Sequence, residues 1–280
     1  MKVDYEPLKI DLHSHSTHSD GLTTAVDLVH KMKAAGVGLF ALTDHDTTEG
    51  VEEAVIAGKK IGVEVVPGIE VSSRYESQDV HVLGIGVDIT SKALQEKLAL
   101  MRKSRIERVE KICAELGKLG KTLDARAVFA EAGGKSVGRK HVARAMEKAG
   151  LVKTQQEAFE KYLGAGKPAN VAPNELSPAE AAEMIRLAGG VPVLAHPGFF
   201  DDDDLVERIL DKTPVQGIEV YHQYDSPQKH LRYAGMAQRR DLLMTGGSDF
   251  HGEAHKHAVE LGVHLTPVAE WRRLAARLVR

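Results

Sequence analysis

Two runs of alternating strand and helix signals, split by a long stretch with no strand signal, constrain this chain more than any other feature. The first run begins with Leu8–Leu12, where apolar and polar residues alternate with the period of a strand. Val26, Val29 and Met32 then recur at helical spacing within 24–35, and Gly36 ends that helix. Leu39–Thr43 is an apolar run of strand length, and Thr48 is placed to cap a helix through Ile61. Strands are expected over Val63–Val71 and Val80–Ile85. From Ser91 to Leu187 only helical patterns occur, the longest over Ser91–Leu119. The alternation resumes at Val191–Pro197, Gly217–His222 and Leu242–His251. Repeated strand–helix units predict an α/β fold with a mainly parallel sheet and functional groups at the C-terminal ends of its strands. The expected organisation is a barrel body from 1–90 and 188–280, with 91–187 as a helical insertion or cap.

The strand ends carry an unusual load. After Leu8–Leu12 comes Asp11-Leu12-His13-Ser14-His15, and then Asp20-Gly21 behind a Ser/Thr-rich loop. Residues i and i+2 of a strand share a face, so His13 and His15 leave its end side by side, placed to grip one metal ion. Alone, such a pair reads equally well as surface histidines beside a turn. It does not stand alone: His45, His81, His196 and His251 also fall at or near strand ends, as do Asp44, Glu70 and Asp249. Histidines scattered for packing have no reason to gather on one rim. Imidazole with carboxylate and no thiolate suits Zn, Mn or Fe in a hydrolytic site, and a carboxylate such as Glu70 can bridge two ions. Asp44, next to His45, is expected to orient a neighbouring imidazole. His222 closes a strand on the same rim, as a general acid or as a partner behind a ligand. His18, His30, His141, His230, His255, His257 and His264 read as structural or surface residues.

Composition excludes several classes. Cys113 is the sole cysteine, so neither an intrachain disulfide framework nor a thiolate zinc site is possible. Its helical spacing with Ile106, Val109, Ile112, Leu116 and Leu119 places it in a core. Lys plus Arg total 37 against 40 Asp plus Glu, so no global basic field recruits nucleic acid and anion binding must be local. No segment has the ~18 consecutive apolar residues of a membrane span, and the N-terminus lacks a signal-peptide run. A cytoplasmic protein without an obligate protein partner is expected. The acidic run Asp201–Asp204 opens a helical stretch, where carboxylates suit the helix N-terminus.

Local basic charge sits in the helical block. Lys103, Ser104 and Arg105 lie early in the long helix, and Lys135, Ser136, Arg139 and Lys140 follow the turn Gly133-Gly134. Arg forks and Lys point charges suit phosphate, although the same residues also read as a solvated helix face. Aromatic residues are 5% of the chain, which favours a short substrate over an extended base-stacking platform.

The motifs DLHSHSTHSDG, LTDHD, GIE, HVLG, LAHP and GSDFHG, in this order and across nearly the whole chain, resemble those of the polymerase and histidinol phosphatase (PHP) phosphoesterases. The resemblance implies a distorted (βα)7 barrel with an all-helical insertion, and two or three divalent cations per chain, Mn2+ first with Zn2+ or Fe2+ as alternatives. Carried over by position, His13, His15, Glu70 and Asp249 hold one metal, and Glu70, His81 and His196 hold a second. Asp20, His45 and His251 hold a third or contact the substrate phosphate, and with His222 they are the expected catalytic groups. Ser136–Arg144 and Ala158–Gly164 are similar to the branch that acts on nucleoside 3',5'-bisphosphates and, as 5'-to-3' exoribonucleases, on short 5'-phosphorylated RNA. That branch more often has Pro where Lys140 stands. The implied reaction is phosphoester hydrolysis through a metal-bound hydroxide, with Lys103, Ser104, Arg105, Lys135, Ser136 and Arg139 on the substrate. The alternatives are a histidinol-phosphate or other small-molecule phosphatase, and a non-catalytic metal-stabilised domain.

Overall fold

The computed structural model describes residues 8–133, 137–164, 166–171, 176–223, 225–252 and 259–278. Its elements run β1 (Lys9–Asp11), α1 (Ala25–Ala34), β2 (Val37–Leu42), α2 (Val51–Ile61), β3 (Glu64–Tyr75), β4 (Gln78–Ile85), α3 (Lys92–Lys118), α4 (Ala125–Ala132), α5 (Arg139–Lys148) and α6 (Gln155–Ala158). They continue with α7 (Pro178–Leu187), β5 (Val191–Leu194), α8 (Asp203–Lys212), β6 (Gly217–His222), α9 (Pro227–Arg239), β7 (Leu243–Gly247) and α10 (Val268–Ala275).

The seven strands form one sheet in sequence order. Neighbours pair in parallel from β1 to β3 and from β5 to β7, whereas β4 is antiparallel to both β3 and β5. The expected mainly parallel sheet is therefore mixed: β3 turns directly into β4 at Glu76, whose φ of 53° makes the tight reversal. Because β4 runs backwards, its rim residue His81 comes early in the strand rather than late. The sheet nearly closes on itself. Leu12 N–H donates to Gly246 O at 3.1 Å and His15 N–H to Phe250 O at 3.0 Å, joining β1 to β7. A Cβ at Gly247 would collide with the Cβ of His13, so only glycine permits that approach.

Alternation along β2 shows how the two faces divide. Leu39 and Ala41 join Ile10, Leu12, Val66, Leu83 and Val193 in one cluster, while Phe40 and Leu42 join Leu28, Met32 and Val65 in another with α1 and α2. Both faces are covered, which is why these strands read as continuous apolar runs. Thr24 caps α1 by accepting from Asp27 N–H at 3.1 Å. Thr48, expected to cap α2, does not: the cap is Gly50, and Thr48 Oγ1 instead accepts from Gln95 Nε2 at 3.0 Å. Asp202 caps α8 through Leu205 N–H at 2.9 Å, so the acidic run serves the helix start.

By contacts the chain divides into two units, 1–95 with 176–280, and 96–175. Helix α7, grouped from sequence with the helical block over 91–187, contacts β3, β4 and β5 and belongs to the barrel unit. The second unit has its own core, with Val109, Ile112, Cys113, Leu116, Val128, Val142 and Met146. Cys113 is buried there, and burial pushes its thiol up to about 11. Ile106 and Leu119, expected beside it in the core, are exposed. Among the described residues no helix is long and apolar enough to cross a membrane.

Candidate metal centre

The centre is assembled from the ends of β1, β2, β5, β6 and β7 and from positions within β3 and β4. At β1, Asp11 Oδ1 accepts from the backbone N–H of His13 at 3.2 Å and of Ser248 at 3.0 Å, tying β1 to the segment after β7. Burial pushes the Asp11 carboxyl up to about 6 despite these donors. Gly21 closes the following loop so tightly that a Cβ there would lie 2.7 Å from His15 O. Asp44 shapes the same loop. It accepts from Ser16 N–H at 2.7 Å, Ser16 Oγ at 2.6 Å and Ser19 Oγ at 2.6 Å. This corrects the expectation that Asp44 orients an imidazole; its oxygens are engaged by the loop that carries Asp20.

Glu70 is the hub. Pairing between Asp44–Asp46 and Glu70 sets His45 beside β3, with Glu70 N–H on Asp44 O at 3.2 Å and Asp46 N–H on Glu70 O at 2.9 Å. Glu70 Oε2 lies 3.1 Å from His15 Nε2 and 3.2 Å from both His13 Nε2 and His45 Nδ1. Oε1 lies 2.8 Å from His81 Nδ1 and 3.0 Å from His196 Nε2. Asp249 Oδ1 completes one side, 3.3 Å from His13 Nε2 and 3.0 Å from His15 Nε2. On the other, His81 Nδ1 and His196 Nε2 are 3.3 Å apart. Asp20 Oδ1 lies 3.1 Å from His251 Nε2 and 3.8 Å from His45 Nε2. His251 Nδ1 donates to Asp249 O at 2.9 Å, which leaves Nε2 facing Asp20.

Among the described residues, three groups of donors able to hold a cation result: His13, His15, Glu70 and Asp249; His45, Glu70 and His81; and His15, Asp20, His45 and His251. The chemistry of the set fits divalent cations. His13 Nδ1 faces the Glu219 carboxylate, so a neutral His13 ring presents a lone pair at Nε2, 3.1 Å from Nε2 of His15 and beside two carboxylate oxygens. Crowded lone pairs of this kind need positive charge between them. In the metal-free chain protons supply it: burial opposes charging either ring, but Glu219, Asp249 and Glu70 outweigh it at His13, raising it well above the ordinary range, and Asp249 and Glu70 raise His15 to about 10. Burial lowers His45 and His196 instead, and the neighbouring imidazoles hold Glu70 well below the usual carboxylate range against the effect of burial.

The other expected residues sort as follows. His222 is buried, with Nε2 3.4 Å from Asp249 Oδ2. Lys103, Ser104, Arg105 and Arg139 lie in the second unit, Lys103 exposed and the other three half-buried. There Arg139 Nη1 donates to Asn170 Oδ1 at 3.4 Å, and a Cβ at Gly138 would lie 3.7 Å from Arg105 Nη1, so the start of α5 adjoins Arg105. Lys135 and Ser136 fall outside the described residues. Glu219 was not expected at all. Its signal was a lone carboxylate inside the apolar run Gly217-Ile218-Glu219-Val220, where burial without a partner is costly.

Comparison with known proteins gives this geometry a family. The PHP domain family matches residues 11–163, more than half of the chain. The chain belongs to the PHP family. It is 36% identical over 97% of its length to the 3',5'-nucleoside bisphosphate phosphatase of Chromobacterium violaceum, covering 98% of that protein. It is 35% identical over 87% of its length to a 5'-3' exoribonuclease of Haemophilus influenzae, covering 90% of it. A crystal structure from Bifidobacterium adolescentis, described as a metal-dependent phosphoesterase, superposes with a TM-score of 0.83 at 30% identity, covering 98% of each chain. This PHP chain is thus a hydrolase of the phosphoesterase type, built as a nearly closed seven-stranded PHP barrel.

Proposed function

We propose that the chain removes the 3'-phosphate of nucleoside 3',5'-bisphosphates and releases 5'-mononucleotides from short RNA bearing a 5'-phosphate. The observation that carries the reading is Glu70, one buried carboxylate within 3.2 Å of five imidazoles drawn from four different segments. Such a hub suits a bridge between two cations. His13, His15 and Asp249 would complete one side, and His81 and His196 the other. Bound divalent cations, two or three per chain and Mn2+ first among them, would supply a nucleophile at neutral pH and offset charge on the phosphoryl oxygens.

The chain's own groups divide the remaining work. Asp20, His45 and His251 form the half-buried rim where a third cation or the substrate phosphate would sit. His251 can hold a proton on Nε2, shared with Asp20 at 3.1 Å, and give it to the leaving oxygen. His222 steadies Asp249. Arg105 and Arg139, with Lys103, Ser104, Lys135 and Ser136, would receive the phosphate that is not cleaved, since a substrate with two phosphates needs contacts beyond the cations. The names of the relatives from C. violaceum and H. influenzae support both substrates.

One geometry serves both reactions. If the 5'-phosphate is what holds both substrates, hydrolysis at the next phosphate releases the 3'-phosphate of a bisphosphate or a 5'-mononucleotide from RNA, and each cut leaves a new RNA end that again bears a 5'-phosphate. The test is a time course of the Mn2+-loaded protein on 3'-labelled RNA with a 5'-phosphate or a 5'-hydroxyl, beside adenosine 3',5'-bisphosphate and histidinol phosphate. The 5'-phosphorylated RNA and the bisphosphate should turn over fastest. Equal rates on both RNAs, shortening from the 3' end, or a preference for histidinol phosphate would overturn the proposal.

A further inference from the structure

Glu219 belongs to none of the three donor groups found among the described residues, yet it is fully buried against one of their members, His13. Its oxygens lie 3.1 and 3.2 Å from Nδ1 of His13, and Oε2 also accepts the backbone N–H of His196 at 2.8 Å. His13 stands with His15 and Asp249 near Glu70 Oε2, whereas His196 stands with His81 near Glu70 Oε1. One carboxylate therefore touches one residue from each side of the hub.

The strand is built to allow this. The pairing of β6 with β7 shifts register between Glu219 and Tyr221. Regular alternation would send residues three apart to opposite faces; the extra residue lets Glu219 and His222 both turn inward, to His13 and Asp249 respectively.

Each contact does a separate task. An ionised carboxylate only accepts, so Nδ1 of His13 carries the proton and Nε2 keeps its lone pair toward Glu70 and Asp249. His196 has φ 26° and ψ 58°, a conformation unfavourable outside glycine and more so ahead of a proline, here Pro197. The bond from its N–H to Glu219 holds the backbone that aims its ring.

We infer that Glu219 is a positioning residue that couples the two cation sites flanking Glu70, fixing the tautomer of His13 and the backbone of His196 with a single carboxylate. The inference rests on the two-cation reading of the preceding subsection.

The experiment is a Mn2+ titration of the metal-free full-length protein, followed by electron paramagnetic resonance of the free ion. Wild type, Glu219→Ala and Glu219→Gln are compared, with circular dichroism as the check on folding. Partners behind ligands of this kind change metal affinity by about 10–100-fold, so Glu219→Ala should weaken both sites by about that factor. Gln has one carbonyl oxygen and one NH2, and in either orientation the NH2 faces a donor, Nδ1 of His13 or the backbone N–H of His196, so at least one site weakens. A wild type that binds no Mn2+ would sink the two-cation reading itself. A wild type that binds while Glu219→Ala leaves either site unchanged would overturn the role of Glu219 alone. If the alanine variant does not fold, unchanged affinity at both sites in Glu219→Gln has the same force. A measurement on the wild type needs no variant: in the Zn2+-loaded protein, 15N–1H correlation of the imidazoles should show His13 protonated on Nδ1, and protonation on Nε2 would refute the assignment.

Discussion

Replacing Glu70 by alanine tests the hub directly. The substitution removes two oxygens that lie 2.8 Å from His81, 3.0 Å from His196, 3.1 Å from His15 and 3.2 Å from His13 and His45. In the metal-free chain that charge helps to hold protons on His13 and His15, and nothing replaces it in the buried site. Removing one partner of a buried charged group costs about 3–5 kcal/mol, and the imidazoles can relieve part of it by shedding protons, so about 3 kcal/mol is expected. For a body of this size each kcal/mol shifts the melting temperature by about 2–4 °C, which puts the loss at about 6–12 °C, compatible with a folded protein at room temperature. The effect on turnover is larger. Losing a cation clamp worth about 4 kcal/mol of transition-state stabilisation lowers kcat about a thousandfold, at about 1.4 kcal/mol per decade. Elemental analysis, a thermal melt and turnover on adenosine 3',5'-bisphosphate make the assay. Full metal stoichiometry in the folded variant, or turnover within tenfold of wild type, would refute the reasoning.

Two further outcomes are expected. Arg139→Ala removes one charge-assisted contact worth roughly 1.5–3 kcal/mol, so kcat/KM for a bisphosphate should fall about ten- to a hundredfold, mainly through KM, while an aryl phosphate without a second phosphate is hardly affected. Equal losses on both would assign Arg139 to folding. The pH dependence follows from His15, whose ordinary value of 6.5 is raised to about 10 in the fold. The proton's contribution to metal-free stability is complete below about 6.5 and is lost as pH rises through about 10. A cation must displace that proton, so Mn2+ binding at neutral pH should release protons, and apparent affinity should climb with pH toward that value. Calorimetry in two buffers of different ionisation enthalpy measures the release; a count of zero would contradict it.

The amino-acid sequence by itself determined the donor inventory and the places where it would be displayed. Strand periodicity, capping and turn chemistry act over a few residues, so the i, i+2 pair of His13 and His15 and the helical block after Ser91 are legible without a fold. The lone cysteine settled equally early that no thiolate site is possible, and it does lie in a core. Errors arose where neighbours distant in the chain decide. Thr48 has the look of a cap, but Gln95 engages it; Ile106 and Leu119 continue a helical stripe, yet both are exposed.

Only the tertiary structure decided how the donors are shared. Sequence order cannot say that β4 runs against both neighbours, which brings His81 to Glu70 from early in its strand. Nor can it reveal the register shift that turns Glu219 inward with His222, or that the Asp44 oxygens are engaged by Ser16 and Ser19 rather than by an imidazole. These outcomes depend on strand direction, register and the closure of β1 on β7, all of them contacts between segments far apart in the chain. Local residue patterns prescribe each strand's faces, but the phase at which those faces meet is set by hydrogen bonds across the whole sheet.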